Sequence, residues 1–258
     1  MKKKEVAKVI SQKQLMTDIY DLTLAVSFAG DCRPGQFVSL YMNDAGHLMP
    51  RPISICGIGE DYIRMVYRVA GEGTKVFSAL KAGDEITVMG PLGNGFPLDV
   101  CDGKDVVLVG GGIGIPPMVG CGAALVKAGN AKSVTFAVGY RSERYLDEDM
   151  AAIAPLIYST EDGSAGTKGN VVDAMKAADL KADVMFACGP KPMLRALKAY
   201  CDAQGMELWV SMEEKMACGI GACLGCICQS TEVDHHSHVH NKRVCTDGPV
   251  FKAEEIEL

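Results

Sequence analysis

A change of rhythm near residue 100 constrains the fold more than any single residue does. Before it, apolar residues come in short runs rich in Val, Ile, Tyr and Thr, broken by Gly, Pro, Asp and Asn signals such as RPGQ, GIGED and KAGDE. The runs 4–11, 19–27, 36–42, 51–58, 62–69 and 84–91 read as strands. YDLTLAVS alternates with the period of a half-buried strand. With one helical turn at Lys75–Leu80, this predicts a six-stranded antiparallel barrel. From about Lys104, strand-like DVVLVGG, VTFAVGY, IYSTED, DVMFACG and ELWVSME alternate with helical PPMVGCGAALVKAG, VVDAMKAA and PMLRALKAYCDAQ. That alternation predicts a parallel α/β sheet covered on both faces. CDGK, at the switch, reads as a linker. The last forty-odd residues are rich in Cys and Gly and fit neither rhythm, which suggests a module ordered by metal rather than a third apolar core. The expected division is therefore a barrel at 1–100, an α/β domain at 101–211 and a module at 212–258.

Bulk properties narrow the function. With 258 residues, 48% hydrophobic and 22% charged, the chain has room for two domains and a small module. Net charge is −6 and the only basic block is Lys2–Lys4, so nucleic acid is not an expected partner. The N-terminal residues lack a signal-peptide pattern, and no run approaches the ~18 apolar residues of a membrane span. The expectation is a cytoplasmic protein with no membrane partner.

Eleven cysteines in such a chain point to metal or redox chemistry. Cys32, Cys56, Cys101, Cys121, Cys188 and Cys201 stand singly and read as packing, while five fall within 218–245. Cys218, Cys223, Cys226 and Cys245 follow the plant-type [2Fe–2S] spacing, C-x4-C-x2-C with a distant fourth ligand. Between the first two ligands, Gly219, Ile220, Gly221 and Ala222 are mostly small and leave backbone N–H groups free to donate to sulfur. Four thiolates also suit zinc, and that alternative stays open here. Cys228 falls outside the spacing and reads as packing. His235, His236, His238 and His240 are not interleaved with cysteines as a Rieske centre requires, and read as a solvated loop.

Three further segments suit phosphates and flat rings. VVLVGGGIGIPPM runs from a strand through Gly111, Gly112 and Gly114 into a helix, whose N-terminus favours an anion. Cys188-Gly189-Pro190 ends a later strand, where an open parallel sheet lines its crevice. In the barrel, Arg51-Pro52-Ile53-Ser54 offers a bidentate cation at a strand start. Tyr67-Arg68-Val69 ends the next strand, and Gly73 and Thr74 follow with N–H and hydroxyl donors.

In order, RPIS, YRV, GEGT, GPLGNGFP at 90–97, GGGIG and CGP resemble the ferredoxin–NADP reductase superfamily. SMEEKMACGIGACLGC with RVCTDGPVF sharpens this. Over essentially the whole length, the chain is similar to the electron-transfer subunits of NAD-dependent (class 1B) dihydroorotate dehydrogenases. The resemblance implies FAD held by Arg51, Pro52, Ile53 and Ser54, flanked by Tyr67, Arg68 and Val69, with Gly73 and Thr74 on its phosphates. It implies NAD at Gly111, Gly112 and Gly114, with Cys188, Gly189 and Pro190 at the nicotinamide. Cys218, Cys223, Cys226 and Cys245 would hold a [2Fe–2S] cluster. It further implies an FMN-containing catalytic partner, a heterotetramer with two of each subunit, and a role in pyrimidine (UMP) biosynthesis. No catalytic acid or base is expected in this chain, and Met216, Ile220 and Leu224 are candidate partner contacts. Arg141 and Ser142 would suit a 2′-phosphate, but Glu143, Asp147 and Glu148 oppose it, and NAD is expected. Two departures from the superfamily are a chain end of Glu257-Leu258 instead of an aromatic residue, and the His-rich loop. Two other readings remain: a flavin/iron–sulfur subunit of another NAD(P)H oxidoreductase complex, and a zinc-stabilised redox-sensing flavoprotein.

Overall fold

The computed structural model describes residues 2–42, 46, 48–233 and 238–258; His235 and His236 lie outside them. The first half comprises β1 (Lys3–Met16), β2 (Ile19–Ala25), β3 (Phe37–Tyr41), β4 (Arg51–Ser54), β5 (Gly57–Ile58), β6 (Tyr62–Arg68), α1 (Glu72–Ser78) and β7 (Glu85–Leu92). Its sheet order is β4-β3-β7-β1-β2-β6-β5, with all neighbours antiparallel.

The run 51–58, expected as one strand, is two. Ile55 N–H donates to Gln36 O at 3.0 Å, while Cys56 N–H donates to Arg64 O at 2.8 Å. Two residues thus carry the chain from one end of the sheet to the other, which closes the barrel. The cause is burial: consecutive residues of a strand face opposite sides, yet Ile55 and Cys56 are both buried. Ile55 enters the barrel core, and Cys56 enters a second core against the α/β half. The barrel core is built from Leu22, Leu24, Val38, Leu40, Ile53, Met65 and Val88, each burial contributing about 1.5–3 kcal/mol. Phe77 of α1 plugs one end, edge-on to Tyr67 with centroids 6.4 Å apart.

The second half comprises β8 (Asp105–Gly111), α2 (Ile115–Ala128), β9 (Ser133–Tyr140), α3 (Asp147–Ala151), β10 (Leu156–Thr160), β11 (Thr167–Lys168), α4 (Val171–Ala177), β12 (Val184–Cys188), α5 (Lys191–Gln204) and β13 (Glu207–Ser211). The C-terminal segment adds β14 (Ile227–Cys228), β15 (Lys242–Arg243) and β16 (Val250–Lys252). The sheet order is β11-β10-β9-β8-β12-β13-β16, parallel except for the last pair. From β8 the chain steps outward one way to β11, then returns to the other side of β8 at β12. The point between β8 and β12 is therefore the topological switch, where an open α/β sheet forms its ligand crevice.

Among its described residues, the C-terminal segment has no core of its own. Cys226, Cys228, Val244, Cys245, Phe251, Ala253 and Ile256 are buried in the core on one face of the parallel sheet. Cys228 lies in β14 with its thiol 3.5 Å from Lys242 O, a packing role as expected. His240 Nδ1 lies 3.1 Å from Ser230 O. The two halves are held together by Arg64, which bonds Asp21 at 2.8 Å and also Asp149 of α3. Phe96 stacks on Phe186 at 4.7 Å between centroids. Among the described residues, no helix is long and apolar enough to cross a membrane.

Candidate functional site

Three groups of residues converge where the barrel, the α/β sheet and the cysteine loop meet. In the barrel, Arg51 Nη1 donates to Met49 O at 2.8 Å, and its guanidinium lies against α1, with Nε 2.6 Å from where a Cβ on Gly73 would stand. Arg51 and Gly73, twenty-two residues apart in sequence, are thus neighbours. The Thr74 hydroxyl accepts from Ala70 N–H (2.9 Å) and Gly71 N–H (3.2 Å) and donates to Gly71 O (3.0 Å). It closes the turn into α1, so its N–H, not its hydroxyl, is what it can offer a phosphate.

Tyr67 faces the barrel interior. Its hydroxyl donates to Gln12 Oε1 at 3.1 Å, and Gln12 Nε2 donates to Phe77 O and Leu80 O at 2.9 Å each. Burial pushes its phenol well above the ordinary range. Arg68 is exposed and 3.3 Å from Asp18, and Val69 N–H donates to Asp18 O at 2.7 Å.

At the switch point, the glycine turn and the CGP turn interlock. A Cβ on Gly114 would overlap the Cys188 carbonyl and lie 2.7 Å from Gly189 N; one on Gly111 would lie 3.4 Å from Pro190 Cδ. Tyr145, which the sequence did not flag, donates its hydroxyl to Gly112 O at 2.6 Å. Burial holds the Cys188 thiol neutral, with Glu213 reinforcing this and a Ser211 hydrogen bond opposing it. Glu213 is exposed, yet neighbouring segments desolvate its carboxyl and raise it, with the Arg68 guanidinium offsetting. β6 packs against the turn at Gly112–Gly114, so the barrel meets the α/β sheet at its switch point.

The four cysteines of the spacing are set as two pairs: Cys218 and Cys223 at the rim, and Cys226 and Cys245 in the interior, 3% and 0% exposed. Cys218 Sγ accepts from Ile220 N–H (3.5 Å) and Ala222 N–H (3.3 Å), Cys223 Sγ from Gly225 N–H (3.4 Å), and Cys226 Sγ from Cys245 N–H (3.4 Å). Burial raises the Cys218 thiol, but these amides and Cys223 outweigh it and bring it down to about 6. Cys245 is pushed up to about 12 by burial and then by its partner Cys226. Among the described residues, no trio of His, Cys, Asp or Glu side chains is arranged to hold a single metal ion. Two pairs of thiols wrapped in donated amides fit a two-iron cluster, with two thiolates to each iron.

Arg243 ties this loop together, bonding Asp247 at 3.1 Å and Gly221 O at 3.5 Å. The loop also rests on the barrel: a Cβ on Gly219 would stand 2.9 Å from Ser39 Oγ and 3.6 Å from Leu92 Cδ1. Ser39 lies in β3 directly opposite Pro52 of β4. The cysteine loop is thus one strand away from the RPIS segment.

Residues 213–257 match the family model for the iron–sulfur cluster binding domain of dihydroorotate dehydrogenase B. The chain is 41% identical to the dihydroorotate dehydrogenase B (NAD(+)) electron transfer subunit of Lysinibacillus sphaericus, across 100% of both chains. It is 41% identical to that of Listeria monocytogenes, covering 97% of this chain and 98% of the relative. Among solved structures, a chain of the NADH-dependent reduced ferredoxin–NADP oxidoreductase superposes with a TM-score of 0.84 at 30% identity, covering 98% and 90%. A ferredoxin–NADP+ reductase from Neisseria gonorrhoeae, with bound FAD and NADP, shares the fold at 18% identity and a TM-score of 0.67, covering 79% and 92%.

Proposed function

The chain belongs to the family of electron transfer subunits of NAD-dependent dihydroorotate dehydrogenase B, and from that premise we propose that it carries electrons from a dihydroorotate-oxidising partner, through a [2Fe–2S] cluster and FAD, to NAD+. The observation that carries this is the adjacency of the three sites: the cysteine loop on β3, the RPIS segment on β4 beside it, and the interlocked glycine turns against β6 of the same barrel. When bound, the cluster passes single electrons and FAD accepts them singly and releases two as hydride.

The chain's own residues bind, orient and exclude water. Cys218 and Cys223 would hold one iron and Cys226 and Cys245 the other, with the donated amides stabilising charge on sulfur. Arg51, with the N–H groups of Gly73 and Thr74, would hold the FAD pyrophosphate, and Pro52, Ile53 and Ser54 would border the isoalloxazine. Arg68 and Val69 would flank the flavin, while Tyr67 supports them from within the barrel. Gly111, Gly112 and Gly114 leave room for the nicotinamide nucleotide. Cys188, Gly189 and Pro190 would meet the nicotinamide, and the neutral Cys188 thiol adds no charge there. Ring alignment suffices for hydride transfer, and no side-chain acid or base is needed. The division into 1–100, 101–211 and 212–258 then follows function: flavin, nucleotide and cluster.

The partner we propose carries FMN and assembles with this chain as two of each, in pyrimidine nucleotide synthesis. Cys223 is exposed, as are Ile220 (46%) and Leu224 (58%), which supports a partner seated on the cysteine loop. Met216 instead packs against the core. A second reading, in which the same relay serves another oxidoreductase complex, draws on the 30% identity to the ferredoxin–NADP oxidoreductase chain. Anaerobic purification from cells separates the two. The expected result is a co-purifying FMN protein, absorbance bands beyond the flavin region, and dihydroorotate-dependent reduction of NAD+. A preparation holding stoichiometric zinc and no iron would refute the relay, and a complex inert to dihydroorotate would favour the second reading.

A further inference from the structure

Asn94 follows β7 in the run GPLGNGFP, which sequence marked without giving it a task. Its backbone N–H donates to Gly248 O at 2.7 Å. Its Nδ2 donates to Asp247 O at 3.1 Å and to Val250 O at 2.8 Å, and its Oδ1 accepts from Val250 N–H at 2.9 Å. Both ends of the side-chain amide are therefore used on the segment that follows Cys245. Asn94 is exposed, so packing does not dictate its identity; hydrogen-bond geometry does. The neighbouring Gly93 has φ of +72°, and a Cβ there would stand 2.5 Å from Pro249 Cδ and 2.9 Å from Gly248 O. The two segments fit too closely for any side chain between them.

The same loop is braced from the flavin side. Gln36 Nε2 donates to Gly93 O at 2.8 Å. The Gln36 carbonyl accepts from Ile55 N–H at 3.0 Å, one residue beyond Ser54. A continuous path of short bonds thus runs from the end of β4, through Gln36 and Gly93-Asn94, to residues 247–250 and the Cys245 loop.

We propose that Asn94 is a positioning residue: it fixes the cluster-bearing loop against the flavin strand and so sets how fast electrons pass between the two groups. This rests on the cluster and FAD assignments above. Electron passage falls steeply with separation, so a cluster loop held less firmly against the flavin strand passes electrons more slowly.

The test uses the full chain with FAD and iron in place, as Asn94→Ala and Asn94→Asp. The aspartate keeps the shape but sets an acceptor against the Asp247 and Val250 carbonyls. Both variants are expected to hold full FAD and iron, and NADH should reduce their flavin within about twofold of the parent rate. Cluster reduction by the flavin, one electron per cluster, should be clearly slower than in the parent when followed by freeze-quench EPR. Backbone deuterium uptake at 246–252 should rise. Parental transfer rates would overturn the proposal, as would loss of FAD or iron in both variants, which would make Asn94 an assembly residue. Arg51→Ala and Cys245→Ser run alongside. If the first keeps its FAD or the second its iron, the site assignments fail whatever Asn94 does.

Discussion

Tyr145 shows how much a single side chain settles at this site. Gly112 sits at φ +52°, in a turn whose carbonyl would otherwise be held only by the chain around it. The Tyr145 hydroxyl anchors it from 33 residues away, and the Tyr145 carbonyl in turn accepts from the Tyr140 hydroxyl at 3.0 Å. Tyr145→Phe removes one hydrogen bond, about 1 kcal/mol. The expected result is an apparent Kd for NADH raised about fivefold in stopped-flow flavin reduction, with FAD and iron content unchanged. Nothing in RSERYLDED says which residue reaches back to the glycine turn, so this contact was not legible in sequence. Arg51 and Gly73 were legible as separate candidates, because a strand-start arginine and a turn glycine each carry their own chemistry; their contact was not. The inward face of Tyr67 was legible as well. The strand alternation that makes Ile63 and Met65 core residues also turns Tyr67 inward.

Strands and helices were easier to read than their junctions. The β/α alternation after Lys104 is present as expected, because its apolar runs are long and its breaks carry Gly or Pro. Helix α2 opens with Pro116 and Pro117 in its first turn and closes on Gly129 at φ +71°. The split of 51–58 escaped because a continuous apolar run does not show that its two halves serve different cores. At this scale Gly114 is the sensitive joint. The 3-10 turn from β8 into α2 passes so close to the end of β12 that a methyl group would meet the Cys188 carbonyl, which is backbone and cannot swing aside. Gly114→Ala is expected to cost about 1–3 kcal/mol of stability by urea denaturation. It should also abolish NADH-driven flavin reduction, because the β8 and β12 turns would be pushed apart. An unchanged NADH rate would mean that the two turns do not share a ligand.

For the whole molecule, the order of sites along the chain differs from their order in space. The barrel segment lies between the other two, with the cysteine loop behind β3 and the glycine turns across the cleft. NADH should therefore reach the flavin without the cluster. Cys223→Ser, at the exposed rim, is expected to abolish electron exchange with the partner while leaving NADH-driven flavin reduction largely intact; loss of both would mean that the loop is required for folding. The C-terminal strand makes that outcome more than a matter of electrons. β16 lies antiparallel on β13, pairing Trp209 with Lys252 and Ser211 with Val250, and Asn94 closes off its own free side. It begins five residues after Cys245, so the cysteine loop and the last strand are joined by a short tether. Oxidised or metal-stripped chains would uncover the β13 edge, and a bare edge beside an apolar core recruits a second copy. Iron-stripped protein is therefore expected to self-associate more readily than loaded protein, a difference that light scattering checks.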